Sequence, residues 1–299
     1  MPNAKLNNHL HLHFIVFIWG FTAVIGALIS IDAIPLVWYR TGLAVLVLLI
    51  YAILFKKSLK KSPKAILQFS FVGFFIAIHW ISFFYAIKIS NVSVTLAAIS
   101  TGALFATFIE PVFYKKKIVW YEVLFSVIAI LGLLVIFNVQ AKFTLGILFG
   151  LLAAFLSALF AVLNSKLIQK HEALSITFYE LLSGFLLIGI LLFFNGTMQT
   201  PSFFKLSLSD FSYLFILASV CTAYTMVAST KLLLKMSPFT MMLTINLEPV
   251  YGIALAVIIL GDSEKMTTQF YLGTALIIVS IILNAAFKLY PKIILSKKR

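Results

Sequence analysis

The chain has 299 residues, 62% of them hydrophobic and 11% charged, with a mean hydropathy of +1.10. Soluble domains are about a quarter charged and about half apolar, so a soluble globular protein is excluded, and at about 20 residues per span there is room for about ten membrane helices. The formal charge of +14 would suggest nucleic acid to a soluble chain, but in a membrane protein it marks cytoplasmic loops, and no nucleic-acid partner is expected.

Three alternating histidines, His9, His11 and His13, precede the first apolar run, Phe14 to Ser30. No carboxylate or cysteine stands near them, so a metal site is not expected there, nor a cofactor elsewhere. The run lacks a strongly basic leader and nine more spans follow, so it is read as a mature helix rather than a signal peptide. Trp19, about a turn and a half in, is placed to line a cavity. The second span, Pro35 to Phe55, carries Arg40 near its outer end, with Trp38 and Tyr39 as interfacial belt residues. In the third, Ala65 to Ile87, His79 and Trp80 precede Phe83, Phe84 and Tyr85. A buried His can donate, accept or titrate, and aromatic walls suit an amphipathic organic solute; a packing role is equally open.

The fourth span, Ser93 to Tyr114, contains Gly102 and Glu110; the fifth is Val119 to Asn138, with Trp120 and Tyr121 as belt residues. On the sixth, Thr144 to Leu163, Gly146, Gly150, Ala154 and Ala158 form a small-residue stripe suited to tight packing. The seventh, Ser175 to Phe194, carries Glu180 about one turn from the cytoplasmic face; the eighth is Phe211 to Leu234 and contains the single cysteine, Cys221. The ninth, Phe239 to Leu260, places Asn246, Glu248 and Pro249 near mid-membrane, where the proline should kink the helix by displacing the carbonyl of Ile245. The tenth is Gln269 to Phe287.

With a cytoplasmic N-terminus, eighteen Lys and Arg fall inside, from Lys5 through Lys115, Lys116 and Lys117 to Lys298 and Arg299. Four, Lys88, Lys142, Lys205 and Lys265, fall outside. Both termini are therefore expected in the cytoplasm, and the protein in the cytoplasmic (inner) membrane. The segment from Ile34 to Arg40 resembles Leu174 to Glu180 at a shift of 140 residues, and Lys88-Ile89-Ser90 resembles Lys235-Met236-Ser237. Because five spans per copy is odd, the copies, residues 1–138 and 139–299, are expected to be inverted five-helix repeats. Glu110-Pro111 looks like Glu248-Pro249, but depth matches Thr101-Gly102 to Glu248-Pro249 instead.

These features together resemble the drug/metabolite transporter superfamily in its EamA-like branch. Phe84-Tyr85-Ala86-Ile87, Leu247-Glu248-Pro249-Val250-Tyr251 and Leu260-Gly261-Asp262 add to the likeness. The chain departs from the family pattern at Lys115-Lys116-Lys117 and at Gly102, where a proline is usual. The resemblance implies export of amino acids or related metabolites.

Charges inside the bilayer cost about 2.5 to 3.5 kcal/mol at a helix centre, so they should face a cavity or a partner. The substrate site is accordingly expected among Glu248, Asn246, His79, Arg40, Trp19 and Tyr85, with Pro249 and Gly102 as hinge or gate. Glu248 and His79 are the candidates for proton coupling. A small-molecule substrate and the bilayer are the expected partners, and alternating access the expected mechanism. The competing class is an intramembrane enzyme acting on lipid or peptide, which would need a base or metal-ligand companion to His79 that the sequence lacks.

Overall fold

The computed structural model describes residues 2–115, 117, 120–139 and 141–297. Lys116, Lys298 and Arg299 of the topology argument, and Val119 at the expected start of the fifth span, lie outside them, as do the side chains of Trp120 and Tyr121. Among the described residues all regular structure is helical. The first three helices are α1 (Pro2–Leu28), α2 (Ala33–Leu54) and α3 (Pro63–Ile89). A broken pair follows, α4 (Val92–Ile99) and α5 (Gly102–Tyr114), then α6 (Trp120–Val139), α7 (Thr144–Leu167) and α8 (Ala173–Phe194). Next, α9 (Leu208–Ala218) runs through a π-helical turn, Ser219–Tyr224, into α10 (Thr225–Leu232). A second broken pair, α11 (Pro238–Ile245) and α12 (Glu248–Leu260), precedes α13 (Thr268–Lys297).

Among the described residues eight segments are long and apolar enough to cross a membrane, the broken pairs each counting as one; α6 and α13 contribute the shorter apolar stretches Val127–Ile136 and Thr268–Ser280. Polar residues set the starts. Ser62 accepts the Ala65 N–H at 3.3 Å ahead of Pro63, and Ser237 accepts that of Thr240 at 3.2 Å ahead of Pro238. Each serine satisfies a free donor of the first turn, where the proline's missing N–H costs nothing. Asn91 and Ser207 cap α4 and α9 in the same way.

The two breaks have the same build. Each interrupts a span after 8 helical residues and leaves 13 beyond. At the first, the Ser100 and Thr101 N–H groups bond the carbonyls of Leu96 and Ala98; at the second, those of Asn246 and Leu247 bond Met242 and Thr244. Their causes differ. Pro249 is the second residue of α12, so α11 stops at Ile245 and a new helix starts, rather than one helix kinking as the sequence suggested. Without a proline, Ser100 and Thr101 donate their hydroxyls to the carbonyls of Ala97 and Ala98, at 2.6 and 2.7 Å, which competes with the helix ladder.

Small residues bring the helices close. Gly146 and Gly150 of the α7 stripe lie against Ser90 and Ala98, and a Cβ on Gly132 of α6 would sit 2.7 Å from the Gly273 carbonyl oxygen of α13. A Cβ on Gly73 would overlap both Ser183 Oγ and the Glu180 carbonyl oxygen of α8, whereas one on Gly184 would meet Ala77 Cβ at an ordinary 3.4 Å. Gly73→Ala is therefore expected to force α3 and α8 apart at a cost of about 1 to 3 kcal/mol. Gly184→Ala should stay within about 0.5 kcal/mol. Thermal unfolding of the two variants in one detergent checks this, and equal midpoints would contradict the packing.

Candidate functional site

A cavity lies where α1, α2, α3, α7, α10 and the α11–α12 break converge. Trp19, Arg40, His79 and Glu248, four residues singled out from the sequence, line it together. The remaining wall is mostly apolar, with Trp80, Phe83, Phe160, Met226 and Met242.

Arg40 is 1% exposed and does not reach the outer interface. Its Nε donates to Thr222 Oγ1 at 2.6 Å and its Nη2 to the Cys221 carbonyl at 3.2 Å. The π turn makes this possible, because the wider winding takes carbonyls out of the regular ladder and leaves them for side chains. Thr225 Oγ1 also donates to the Cys221 carbonyl and itself accepts from Trp19 Nε1 at 3.0 Å, so one polar chain ties α1, α2 and the π turn. The guanidinium carbon lies 4.3 Å from the Trp80 ring centroid, a cation–π contact. Among the described residues its Nη1, though buried, has no hydrogen-bond partner.

Glu248 is the first residue of α12 and 8% exposed. The start of a helix favours a carboxylate through its free N–H groups and dipole. No hydrogen bond or ion pair to Glu248 is found among the described residues, Arg40 included. The cavity thus carries a guanidinium and a carboxyl group that are neither hydrogen-bonded nor ion-paired to each other.

His79 is pinned. Its Nδ1 lies 2.7 Å from the Ala153 carbonyl, which can only accept, so Nδ1 carries the proton and the ring links α3 to α7. Asn246 sits in the α11–α12 break, 4% exposed, with its amide nitrogen unpartnered among the described residues, but does not line the cavity. Tyr85 is 40% exposed and packs on Phe149, away from the cavity. Gly102 begins α5; a Cβ there would meet the Met242 methyl at 2.7 Å, so it touches the cavity only through Met242. Pro249 is buried beside Glu248 and fixes the start of α12.

The remaining carboxylates have other places. Glu110 accepts the Phe239 N–H at 3.1 Å and so caps α11, while Glu264, in the turn after α12, accepts those of Val92 and Ser93 at 2.9 and 2.8 Å and caps α4. Glu180 is deeper than expected. Because α8 starts at Ala173 rather than Ser175, it lies about 10 Å along the helix, and it is 0% exposed.

Thr22 and Asn164 also line the cavity, and among the described residues Asn164 Oδ1 is buried without a hydrogen-bond partner. Sequence reasoning passed over both, although Thr22 lies one helical turn beyond Trp19 and Asn164 is a lone amide in an apolar helix. Glu264 left no signal, since its partners stand 171 and 172 residues away.

The model of the EamA-like transporter family matches residues 10–138 and 144–286. An uncharacterized transporter of Clostridium kluyveri is 22% identical over 208 residues, 67% of this chain and 65% of the length of that relative. A crystal structure of a protein matches 92% of this chain and 96% of its own, with a TM-score of 0.68 and 12% identity, a likeness of fold.

Proposed function

The chain belongs to the EamA-like transporter family, and from that premise we propose that this multi-pass membrane transporter carries small zwitterionic metabolites, amino acids with apolar side chains above all, out of the cytoplasm by alternating access. One observation carries the reading: Arg40 and Glu248 line one largely apolar cavity without pairing. Arg40 Nη1 would take a carboxylate and Glu248 an ammonium group, while Trp80, Phe83 and Phe160 take the side chain. A charge-assisted hydrogen bond contributes about 1.5 to 3 kcal/mol, so the two ends together discriminate strongly against solutes that lack either charge.

The ten-span, inverted-repeat architecture is supported by matched pieces. The helices α2 and α8 are both 22 residues long, with Arg40 and Glu180 each the eighth residue, and the broken spans are both 8 plus 13. In this reading α6 and α13 are the fifth and tenth spans, joined at Gly132 and Gly273, and the repeats are residues 1–138 and 139–299. The cavity reaches Leu233 and Met241, at ends that this topology puts at the cytoplasmic face, which fits a cytoplasm-facing state of the alternating-access cycle. The broken α11–α12 pair beside Glu248 gives the gate a place to bend.

The test is counterflow of labelled L-leucine and L-phenylalanine in proteoliposomes, with exchange expected and lipid turnover absent; no exchange of either would overturn the reading. Topology is checked separately. A reporter after Arg299 is expected to read cytoplasmic and one within residues 195–210 external, and finding both on one side would contradict ten spans.

A further inference from the structure

A second cleft shares no lining residue with the substrate cavity. It runs between the first half of α1, the end of α2, the start of α8 and the π turn with α10. Tyr51 and Tyr224, 44% and 42% exposed, stand at its open side. The cleft has a cause in the helix path. Among the described residues α2 packs on α9 and on the π turn but barely on α10, so the eighth span leaves α2 at the π turn, a winding defect that commonly redirects a helix.

The walls are apolar, with Val47, Leu48, Leu174, Val227, Ala228 and Leu232. His11 Nε2 and the Tyr224 hydroxyl, 2.8 Å apart, join α1 to the π turn along one side. One end of the cleft is basic. Lys231 and Lys235, both exposed, line it there, and no Asp or Glu does. Among the described residues neither lysine forms an ion pair, and Glu172, two residues before Leu174, lies 4.0 Å from Lys61 instead. The dimensions fit a lipid. From Ser219 to Lys231 the cleft follows twelve residues of helix, roughly 18 Å, close to half of a hydrocarbon core about 30 Å thick.

We propose that this cleft is a binding site for one anionic phospholipid of the cytoplasmic leaflet. The Lys231 and Lys235 ammonium groups hold its phosphate, and one acyl chain lies along Val47, Val227 and Ala228 toward Ser219. A zwitterionic lipid brings a cation to the same two lysines and gains no net attraction. An extended protein segment at this depth would leave backbone groups without partners. Basic pockets between helices at the cytoplasmic side suit anionic headgroups, because that leaflet carries them. Only the choice of leaflet rests on the topology proposed above.

The test is native mass spectrometry of the full-length protein, released from micelles that hold equimolar phosphatidylglycerol and phosphatidylcholine with the same palmitoyl and oleoyl chains. The wild type is expected to retain one phosphatidylglycerol, about tenfold above phosphatidylcholine. Replacing both lysines, Lys231→Gln with Lys235→Gln, should lower that retention by about tenfold or more, since each lysine near the headgroups contributes roughly fivefold. The paired control Lys115→Gln with Lys117→Gln removes two exposed lysines that do not line the cleft and should change nothing. Ala228→Trp fills the groove and should abolish retention with both lysines in place, its melting temperature in detergent reporting that it folds; the exposed lysine pair decides if it does not. Equal retention of the two lipids would mean ordinary boundary lipid and overturn the proposal. So would equal losses in the two lysine pairs, full retention by folded Ala228→Trp, or displacement of the lipid by millimolar inorganic phosphate, which would make the site one for a free anion.

Discussion

Arg40→Met is expected to lower L-leucine transport by about 10- to 100-fold while leaving the folded protein intact. The transport loss follows from the removal of a charge-assisted contact to the substrate carboxylate, about 1.5 to 3 kcal/mol. Stability should move little, because a buried charge replaced by an apolar side chain of similar length is often neutral or favourable. Met also keeps van der Waals contact with Trp80 and Phe84, over which the guanidinium now lies. Arg40→Lys should not restore transport. The ammonium group lacks the planar fork with which Nε and Nη2 hold Thr222 and Cys221 while Nη1 points elsewhere. Initial rates of counterflow, with melting temperatures of the same preparations, check both halves; normal transport in Arg40→Met would remove the guanidinium from the site.

The second large effect is expected at Glu248. Glu248→Gln preserves shape and removes the charge that faces a substrate ammonium group, so L-leucine affinity should fall by about tenfold or more. Glu110→Gln is the control, because Glu110 accepts the Phe239 N–H at the start of α11 and the amide oxygen of Gln can still accept it. A weakened cap costs about 1 kcal/mol of stability and no substrate contact. Equal transport losses in the two variants would show that the cavity position of Glu248 is not what matters.

Hydropathy alone made most of the fold legible, since apolar runs of about 20 residues have few alternatives in a bilayer. It also brought out Trp19, Arg40, His79 and Glu248, because charged, His and Trp side chains stand out against apolar helices. The two breaks lie nearer the pairing by depth than the pairing by letters. Thr101-Gly102 falls within one residue of the place that the equal 8 and 13 residue lengths assign it, although Glu110-Pro111 looks more like Glu248-Pro249. The π turn at Ser219–Tyr224 was not legible, because one extra residue in a helical turn leaves no mark in an apolar sequence. Tyr85 was misleading for a related reason: it follows Phe84, which is fully buried, and adjacent residues on a helix face different ways. The caps supplied by Glu110 and Glu264 join distant segments, and no local pattern encodes such a contact.

The proposal that Arg40 and Glu248 read opposite ends of one substrate is tested most directly by a binding matrix. L-leucine, its methyl ester and its des-amino acid are titrated against wild type, Arg40→Met and Glu248→Gln, with the fluorescence of Trp19 and Trp80 in the cavity wall as signal. The predicted pattern is crossed. Arg40→Met should weaken the des-amino acid and leave the ester unchanged, whereas Glu248→Gln should weaken the ester and leave the des-amino acid unchanged, with L-leucine weakened by both. Equal weakening of both analogues by each substitution, or binding of L-leucine that neither substitution alters, would contradict the assignment.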